Sequence, residues 1–489
     1  MENENPTPKW WSGLFRNWFS LTGVVIAAGS IFAFIFLFAM ELFVPHGNPY
    51  VGILAFVVAP FFFLFGSAFI LVGLWMHRKH AARAAVFVIN LARRRDRRLI
   101  VGFALGAVAF LLATAFGSYQ TYEYTESVQF CGAACHTPMK PEHITYLSSP
   151  HARVACVDCH VGSGAGWYIR SKLNGVHQLY TTILGNYHRP IPTPLENLRP
   201  ARETCEQCHW PNKFIGNVDR TYYHFLMDKT NTPFAVRLLL KVGGGEEASA
   251  ARGGIHWHMA LANKIEYIAT DNERQVIPWV RRTDLTTGKV TIYHDPKFHD
   301  DPSKYTIRTM DCMDCHNRPA HQFLSPDDAV DKAIAFGRLD RSIPWLKSNV
   351  VAVLVQPYQA EDEAVHKIAA SLRASYPQQP GIDKVIAETQ DIYRNNFFPE
   401  MKADWRTYPY NIGHKEWPGC FRCHDGNHKT EDGTKSIAAS DCTSCHIILA
   451  QGSGAQLKKL NADGFDFVHI DAVYLDFSCT DCHTGAFPK

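Results

Sequence analysis

Three N-terminal transmembrane α-helices, followed by a region of coil and short helices with a few short strands, is the fold class that this 489-residue sequence predicts. Three observations lead to it. Apolar stretches long enough to cross a bilayer occur only before residue 119. Beyond that point long helical or strand periodicity is scarce. All 14 cysteines fall in one recurring type of motif, so the outer part is organised by whatever those cysteines hold.

The anchor is read first, as residues 1–118. Residues 21–44, 51–76 and 99–118 each suffice to span a hydrocarbon core of roughly 30 Å as a helix. The connection between the first two, PHGNPY, carries no Lys or Arg, whereas residues 77–98 hold Arg78, Lys79, Arg83, Arg93, Arg94, Arg95, Arg97 and Arg98 against Asp96. The positive-inside rule puts that loop and the N-terminus in the cytoplasm and everything after residue 119 outside. The first apolar run exceeds a signal-peptide core and is followed by two more spans, so it reads as an uncleaved anchor. Tyr119, Tyr122 and Tyr124 fall where an interfacial aromatic belt would. Glu41 has two readings, an intramembrane acid with a function or an interfacial one beside Pro45. The formal charge of +3 owes its sign to the 77–98 loop, which suits anionic lipid and gives no reason to expect a nucleic-acid partner.

The cysteines come next. Six C-x-x-C-H motifs occur: Cys156, Cys159 and His160; Cys205, Cys208 and His209; Cys312, Cys315 and His316; Cys420, Cys423 and His424; Cys442, Cys445 and His446; and Cys479, Cys482 and His483. Two thiols reaching one porphyrin edge, with a histidine turned under the ring to bind iron, define a c-type haem attachment site. Composition alone would supply about 0.02 such motifs. Zinc knuckles do not require a histidine after every second cysteine. The remaining pair forms C-x-x-x-C-H at Cys131, Cys135 and His136, a seventh site with a longer loop, and no cysteine is left for a disulfide. Seven covalently bound haem c groups are therefore expected. Haem is attached on the outer side of the membrane, the periplasm of a Gram-negative cell, which agrees with the charge asymmetry.

Motif spacing divides the outer part. Residues 119–215 form a trihaem domain, 216–324 a strand-containing region with the fourth haem, 325–405 a helical insert, and 406–489 a C-terminal trihaem domain. Alternating runs "KIEYIAT" and "KVTIYH" around "DN" and "TGK" predict short strands. "SPDDAVDKAIAFG" opens with a capping Ser and a Pro, and "EDEAVHKIAASLRASYP" has helical apolar spacing that ends at Pro377.

Each iron needs a sixth ligand. His151 and His414 closely precede a motif, His321 and His428 closely follow one, and His469 lies ten residues before Cys479. His256 and His258, in "GGIHWHM", would project to one side of an extended segment. These seven, with His177 and His188, are the candidate distal histidines, since bis-His ligation gives an electron-transfer haem. His224, His294, His299 and His366 suit hydrogen-bonding or surface roles better. Met139 is close enough to His136 to ligate the first haem or to pack in its pocket.

"FCGAACHTPM", "SPHARVACVDCHVGSGAGWYIRSK" and "LRPARETCEQCHWP" resemble the NapC/NirT family of membrane-anchored multihaem quinol dehydrogenases over roughly residues 120–215. "DCMDCHNRPAHQF" and "GCFRCHDGNH" extend the likeness to the larger seven-haem inner-membrane cytochromes of the ImcH type, used in metal respiration and extracellular electron transfer. The resemblance implies oxidation of a quinol, menaquinol being the expected one, beside the first haem, and passage of electrons outward along packed haems. It also implies methionine ligation of the first haem, here by Met139, and a quinol-site lysine, here Lys172. The family's first motif is C-x-x-C-H with Met two residues after the His; here the spacing is C-x-x-x-C-H with Met three after. The family has one membrane helix where this sequence predicts three.

A lipid-soluble quinol would react near the membrane and the first haem, beside a proton acceptor. Lys172, Gln178, Glu142 and His177 are the candidates. The favoured function is quinol dehydrogenase feeding periplasmic c-type cytochromes or a reductase. A terminal reductase, for nitrite or another small substrate, would need an open haem, and the C-x-x-C-K of pentahaem nitrite reductases is absent. A membrane-anchored relay subunit without its own quinol site is the third class.

Overall fold

A computed structural model describes residues 18–43, 58–79, 92–134, 136–162, 165–195, 199–210, 214–243, 254–438, 442–470 and 479–486. The chain divides into two compact units, residues 1–127 with 161–175, and 128–160 with 176–489.

In the first unit the three apolar stretches form helices α1 (Trp18–Phe43), α2 (Ala59–Lys79) and α3 (Arg94–Glu126). Among the described residues only Ala59–Met76 is long and apolar enough to cross a membrane; Phe19–Ile35 is a shorter apolar run. The expectation of three spans is thus matched by three helices, of which one meets the criterion for a crossing. α1 and α2 pack through small residues. A Cβ at Gly23 would lie 2.6 Å from the Gly66 carbonyl oxygen, and one at Gly66 would lie 2.8 Å from the Ala27 nitrogen. Backbones approach this closely where neighbouring helices gain nothing from burying leucines away from lipid. Ser30 and Ser67 return their hydroxyls to the carbonyls of Ile26 and Phe63, which keeps polar groups satisfied within the helix. Phe32, Leu64, Leu71, Leu112 and Phe116 point outward. Gly66→Leu is expected to destabilise the helix pair by about 1–3 kcal/mol, because four carbons must fit against backbone. Unfolding in lipid nanodiscs, followed by α1–α2 crosslinking, measures this; unchanged crosslinking would rule the packing out.

In the second unit, helices α6 (Pro326–Ala335), α7 (Leu346–Leu354), α8 (Glu361–Ser375) and α9 (Ile382–Asn396) build the main apolar core. α6 starts where its sequence demands: the Ser325 hydroxyl accepts from the Asp328 amide and Pro326 occupies the first turn. On α8, Ala364, Ile368 and Leu372 are fully buried at i, i+4, i+8, and the helix stops two residues before Pro377. Phe323, Phe398, Trp405 and Tyr408 close this core from the chain segments around it.

Two small sheets carry the haem motifs. β1 (Val218–Phe225) pairs antiparallel with β2 (Pro233–Leu240), and β2 with β7 (His446–Gly452), where Leu240 faces His446. β3 (Asn263–Ile268), β4 (Trp279–Asp284), β5 (Val290–His294) and β6 (Arg308–Thr309) form the second, in the order β5-β4-β3-β6. β6 leads straight into Cys312, with the Met310 amide bonded to the Ile265 carbonyl, so sheet register fixes where the fourth motif begins. β7 begins with His446 itself.

Candidate haem centres and their ligands

Each regular motif folds into a single tight turn. Cys156–His160, Cys312–Cys315 and Cys479–Cys482 are helical turns, and Gly419–Arg422 and Cys442–Ser444 are 3₁₀ turns. The histidine amide bonds back to the first cysteine carbonyl in His209, His316, His424 and His483, at 2.8–3.0 Å. That bond swings the imidazole beneath the edge from which the two thiols project. The sixth motif closes one residue earlier. There the Cys445 amide donates to the Cys442 carbonyl at 3.1 Å, while the Cys445 carbonyl accepts from the Lys241 amide at 2.8 Å. Cys445 is thereby tied to the end of β2, and the chain passes directly from its thiol into β7. The first motif differs again: Phe130–Ala134 is a π-type turn, whose wider ring takes up the additional residue between Cys131 and Cys135. Cys135 and the His136 side chain lie outside the described residues. Among the described residues no cysteine forms a disulfide, and Cys445, like Cys131, Cys156, Cys205, Cys312, Cys423, Cys479 and Cys482, is half-buried.

The motif histidines have partners. Ring centroids lie 6.2 Å apart for His160 and His321, 6.0 Å for His209 and His151, and 6.2 Å for His316 and His256. They lie 5.9 Å apart for His424 and His258, 6.3 Å for His446 and His414, and 6.1 Å for His483 and His469. A metal–imidazole distance of about 2 Å, with roughly 1.2 Å from nitrogen to ring centre, separates two rings opposed across one metal by about 6.4 Å. The six pairs therefore fit six irons.

Ring tautomers are set as metal ligation needs. Nδ1 donates to a carbonyl in His151 (to Pro319, 3.1 Å), His256 (to Val242, 2.5 Å), His258 (to Ile255, 2.8 Å) and His321 (to Glu142, 2.9 Å). Nε2 is left with its lone pair. Burial lowers the pKa of His258, His316, His321, His414, His424 and His446, favouring the neutral, metal-binding form. The donor set and its spacing suit haem c.

Several expected positions come out differently. His256 and His258 stand on a 3₁₀ turn, Ile255–Met259, not an extended segment, so they face different motif histidines. His428 is no ligand: its Nδ1 bonds Asp425 (2.8 Å) and its Nε2 the Ile277 carbonyl (2.7 Å), which occupies both nitrogens. His177 and His188 are exposed, and neither joins a ring pair among the described residues. Glu142 is paired with Arg318 and His321. Gln178 is exposed on α5 (Ala165–Ile183), where the Lys172 side chain lies outside the described set. Met139 is half-buried on α4 (His136–Leu147). His143, passed over in the sequence, lies directly against Gly132 in the first motif's turn. His224 bonds Asp331 (3.2 Å) and the His294 Nδ1 bonds the Asp295 carbonyl.

Consecutive motifs lie near one another. Cys156 lies beside Cys131, Cys205 beside Cys312, and Cys159 beside Cys208. Cys315 neighbours Cys420 and Cys423, both motifs packed so tightly that burial pushes the Cys315 and Cys423 thiols up to about 12. Phe421, inside the fifth motif, stacks on His414 at 4.3 Å, and His414 Nδ1 lies 3.9 Å from Cys479 Sγ. Between the fourth and fifth motifs, the buried Asp314 carboxylate accepts from Tyr267, from Arg274 (3.2 Å) and from the Asp311 amide (2.7 Å). Its carbonyl accepts from Arg422 (2.6 Å) and Asn411 (3.0 Å).

Paired cysteines with a following histidine, opposing histidines across an iron's width, and an N-terminal helical anchor define a membrane-anchored multihaem c-type cytochrome that transfers electrons. The N-terminal region of the NapC/NirT cytochrome c family matches residues 94–192. The chain is 40% identical over 501 aligned positions to the cytochrome c-type protein ImcH of Geobacter sulfurreducens, covering 97% of this chain and 96% of that protein. It is 30% identical over 113 positions to the cytochrome c nitrite reductase subunit NrfH of Nitratidesulfovibrio vulgaris, covering 23% of this chain and 67% of that subunit. No solved structure matches. The chain belongs to the NapC/NirT cytochrome c family and is an ImcH-like multihaem cytochrome.

Proposed function

We propose that this protein is a quinol dehydrogenase of the inner membrane. It would oxidise menaquinol at the outer membrane surface and pass electrons through seven haem c groups to periplasmic c-type cytochromes or a reductase, as in anaerobic or metal respiration. The observation that carries this reading is the succession of neighbouring motifs from the first to the fifth, with His414 bridging the fifth, sixth and seventh, in a chain that also carries its own anchor. Each haem supplies a one-electron store.

The chain's residues divide the remaining work. His160, His209, His316, His424, His446 and His483 would bind iron proximally, with His321, His151, His256, His258, His414 and His469 opposite. Filled positions on both sides leave those six centres to electron transfer and argue against a reductase among them. His136 and Met139 would serve the first centre. The first and third helices would cross with the second, placing residues 77–98 in the cytoplasm. On α5, Leu173, Val176, Tyr180 and Ile183 form an exposed apolar stripe, which suits a helix lying in the membrane interface, and Lys172 and Gln178 belong to the same helix.

Protein in nanodiscs, given a menaquinol analogue without oxygen, is expected to show prompt reduction of the haem α-band. Lys172→Ala is expected to slow it roughly 10²-fold, while dithionite still reduces both fully. Wild type that only dithionite reduces would leave the relay reading in its place.

A further inference from the structure

Glu142 sits on α4, six residues after the first motif's histidine, yet its side chain serves a ligand of the second centre. The Nδ1 of His321 lies 2.9 Å from the Glu142 backbone carbonyl and 3.2 Å from the Glu142 Oε2. Arg318 Nη2 donates to both carboxylate oxygens, at 3.3 and 3.2 Å, and its Nε donates to the His321 carbonyl at 2.8 Å. The guanidinium lies against the rings of Phe323 and Tyr408, 5.0 and 4.4 Å from their centres. Arg318 and Glu142 side chains are only 9% and 14% exposed. The carboxylate is therefore fixed on one edge of the imidazole whose opposite edge faces His160.

We infer that Glu142 is a positioning residue that tunes the second haem, its carboxylate placing negative charge 3.2 Å from the Nδ1 of His321 and so lowering the reduction potential at that iron. The inference rests on His160 and His321 being the two ligands of that haem. A carbonyl acceptor on the outer nitrogen, with a carboxylate charge beside it, makes an imidazole a more basic ligand. A more basic ligand stabilises ferric iron over ferrous, and hydrogen bonding around the ligands is one of the levers a protein has on haem potential. The backbone carbonyl of the same residue orients the ring, and the carboxylate adds charge. Arg318 holds that charge in place and offsets part of it. Glu142 thus keeps the second centre oxidised between transfers, ready for an electron from the first, whose helix carries this residue.

The test uses full-length protein in nanodiscs, with a spectroelectrochemical titration and EPR of the low-spin signals. Glu142→Gln keeps the side-chain length and the orienting carbonyl and removes the charge. One haem is expected to titrate higher by about tenfold in its reduction equilibrium, about 59 mV for one electron, with every haem still low-spin. Glu142→Asp, which keeps the charge, is expected to return towards wild type. A merely structural role would lower the melting temperature without moving one potential selectively. His321→Met separates the two failures. If it converts one bis-His signal to His/Met while Glu142→Gln leaves all potentials unchanged, the inference falls and the ligand assignment stands. If His321→Met alters no signal, the assignment falls and the inference with it.

Discussion

Replacing His256 and His258 together by alanine is expected to convert two haems from low-spin to high-spin, the largest spectroscopic change that one turn of chain can produce in this protein. Both residues stand on the Ile255–Met259 turn, but their rings face different motif histidines, His316 at 6.2 Å and His424 at 5.9 Å. The ring planes differ too, 2° apart in the first pair and 82° in the second. Parallel imidazoles give rhombic low-spin EPR signals and perpendicular ones a signal with a large maximal g value. His256→Ala alone should therefore remove a rhombic signal, and His258→Ala alone a large-g signal, each replaced by high-spin iron. His428→Ala should leave every haem low-spin, because both nitrogens of His428 are spent on Asp425 and Ile277. A high-spin signal from His428→Ala, or none from the double variant, would overturn the pairing.

Asp314→Ala is expected to be the most destabilising single change outside the haem ligands, by roughly 3–5 kcal/mol. Removing the carboxylate strands the Tyr267 hydroxyl, itself 1% exposed, and leaves the Arg274 guanidinium facing a void. It also removes the reciprocal cap in which the Asp314 side chain accepts from the Asp311 amide at the start of the fourth motif's turn. The energetic reason is desolvation, since a buried donor without an acceptor costs more than the net worth of the bond it lost. Because Arg422 of the fifth motif bonds the Asp314 carbonyl, the loss should loosen both centres. Denaturant midpoints, read by haem absorbance, check this; a loss under about 1 kcal/mol would show the network to be dispensable.

The attachment sites were legible in the sequence because they are local chemistry. Two thiols and a histidine within five residues have one geometric use, and the C-x-x-x-C-H variant shows its difference as a π-type turn confined to Phe130–Ala134. Helical starts such as Ser325-Pro326 were equally local. What the motif pattern did not show is how each turn is anchored: Cys445 is held through its carbonyl by Lys241, a residue two hundred positions away in sequence that only the pairing of β2 with β7 brings near. The distal histidines were only half legible. Nearness to a motif drew attention to His151, His321 and His414, but each faces the histidine of a different motif from its neighbour in sequence: His209, His160 and His446. His428, four residues after His424, instead turns back onto Asp425 and bonds the Ile277 carbonyl.

By itself, then, the sequence determined that haem is attached covalently to a membrane-anchored chain, how the anchor's charge is arranged, and which histidines are to hand. Only the tertiary structure decided which histidine faces which motif histidine, that Glu142 is paired with Arg318 and His321, and that successive motifs lie near one another in order. The physical reason is reach. A motif's own turn fixes one side of a porphyrin, and the opposite side, some 6 Å away, is closed in five of the six pairs by a segment that packing brings from elsewhere in the chain.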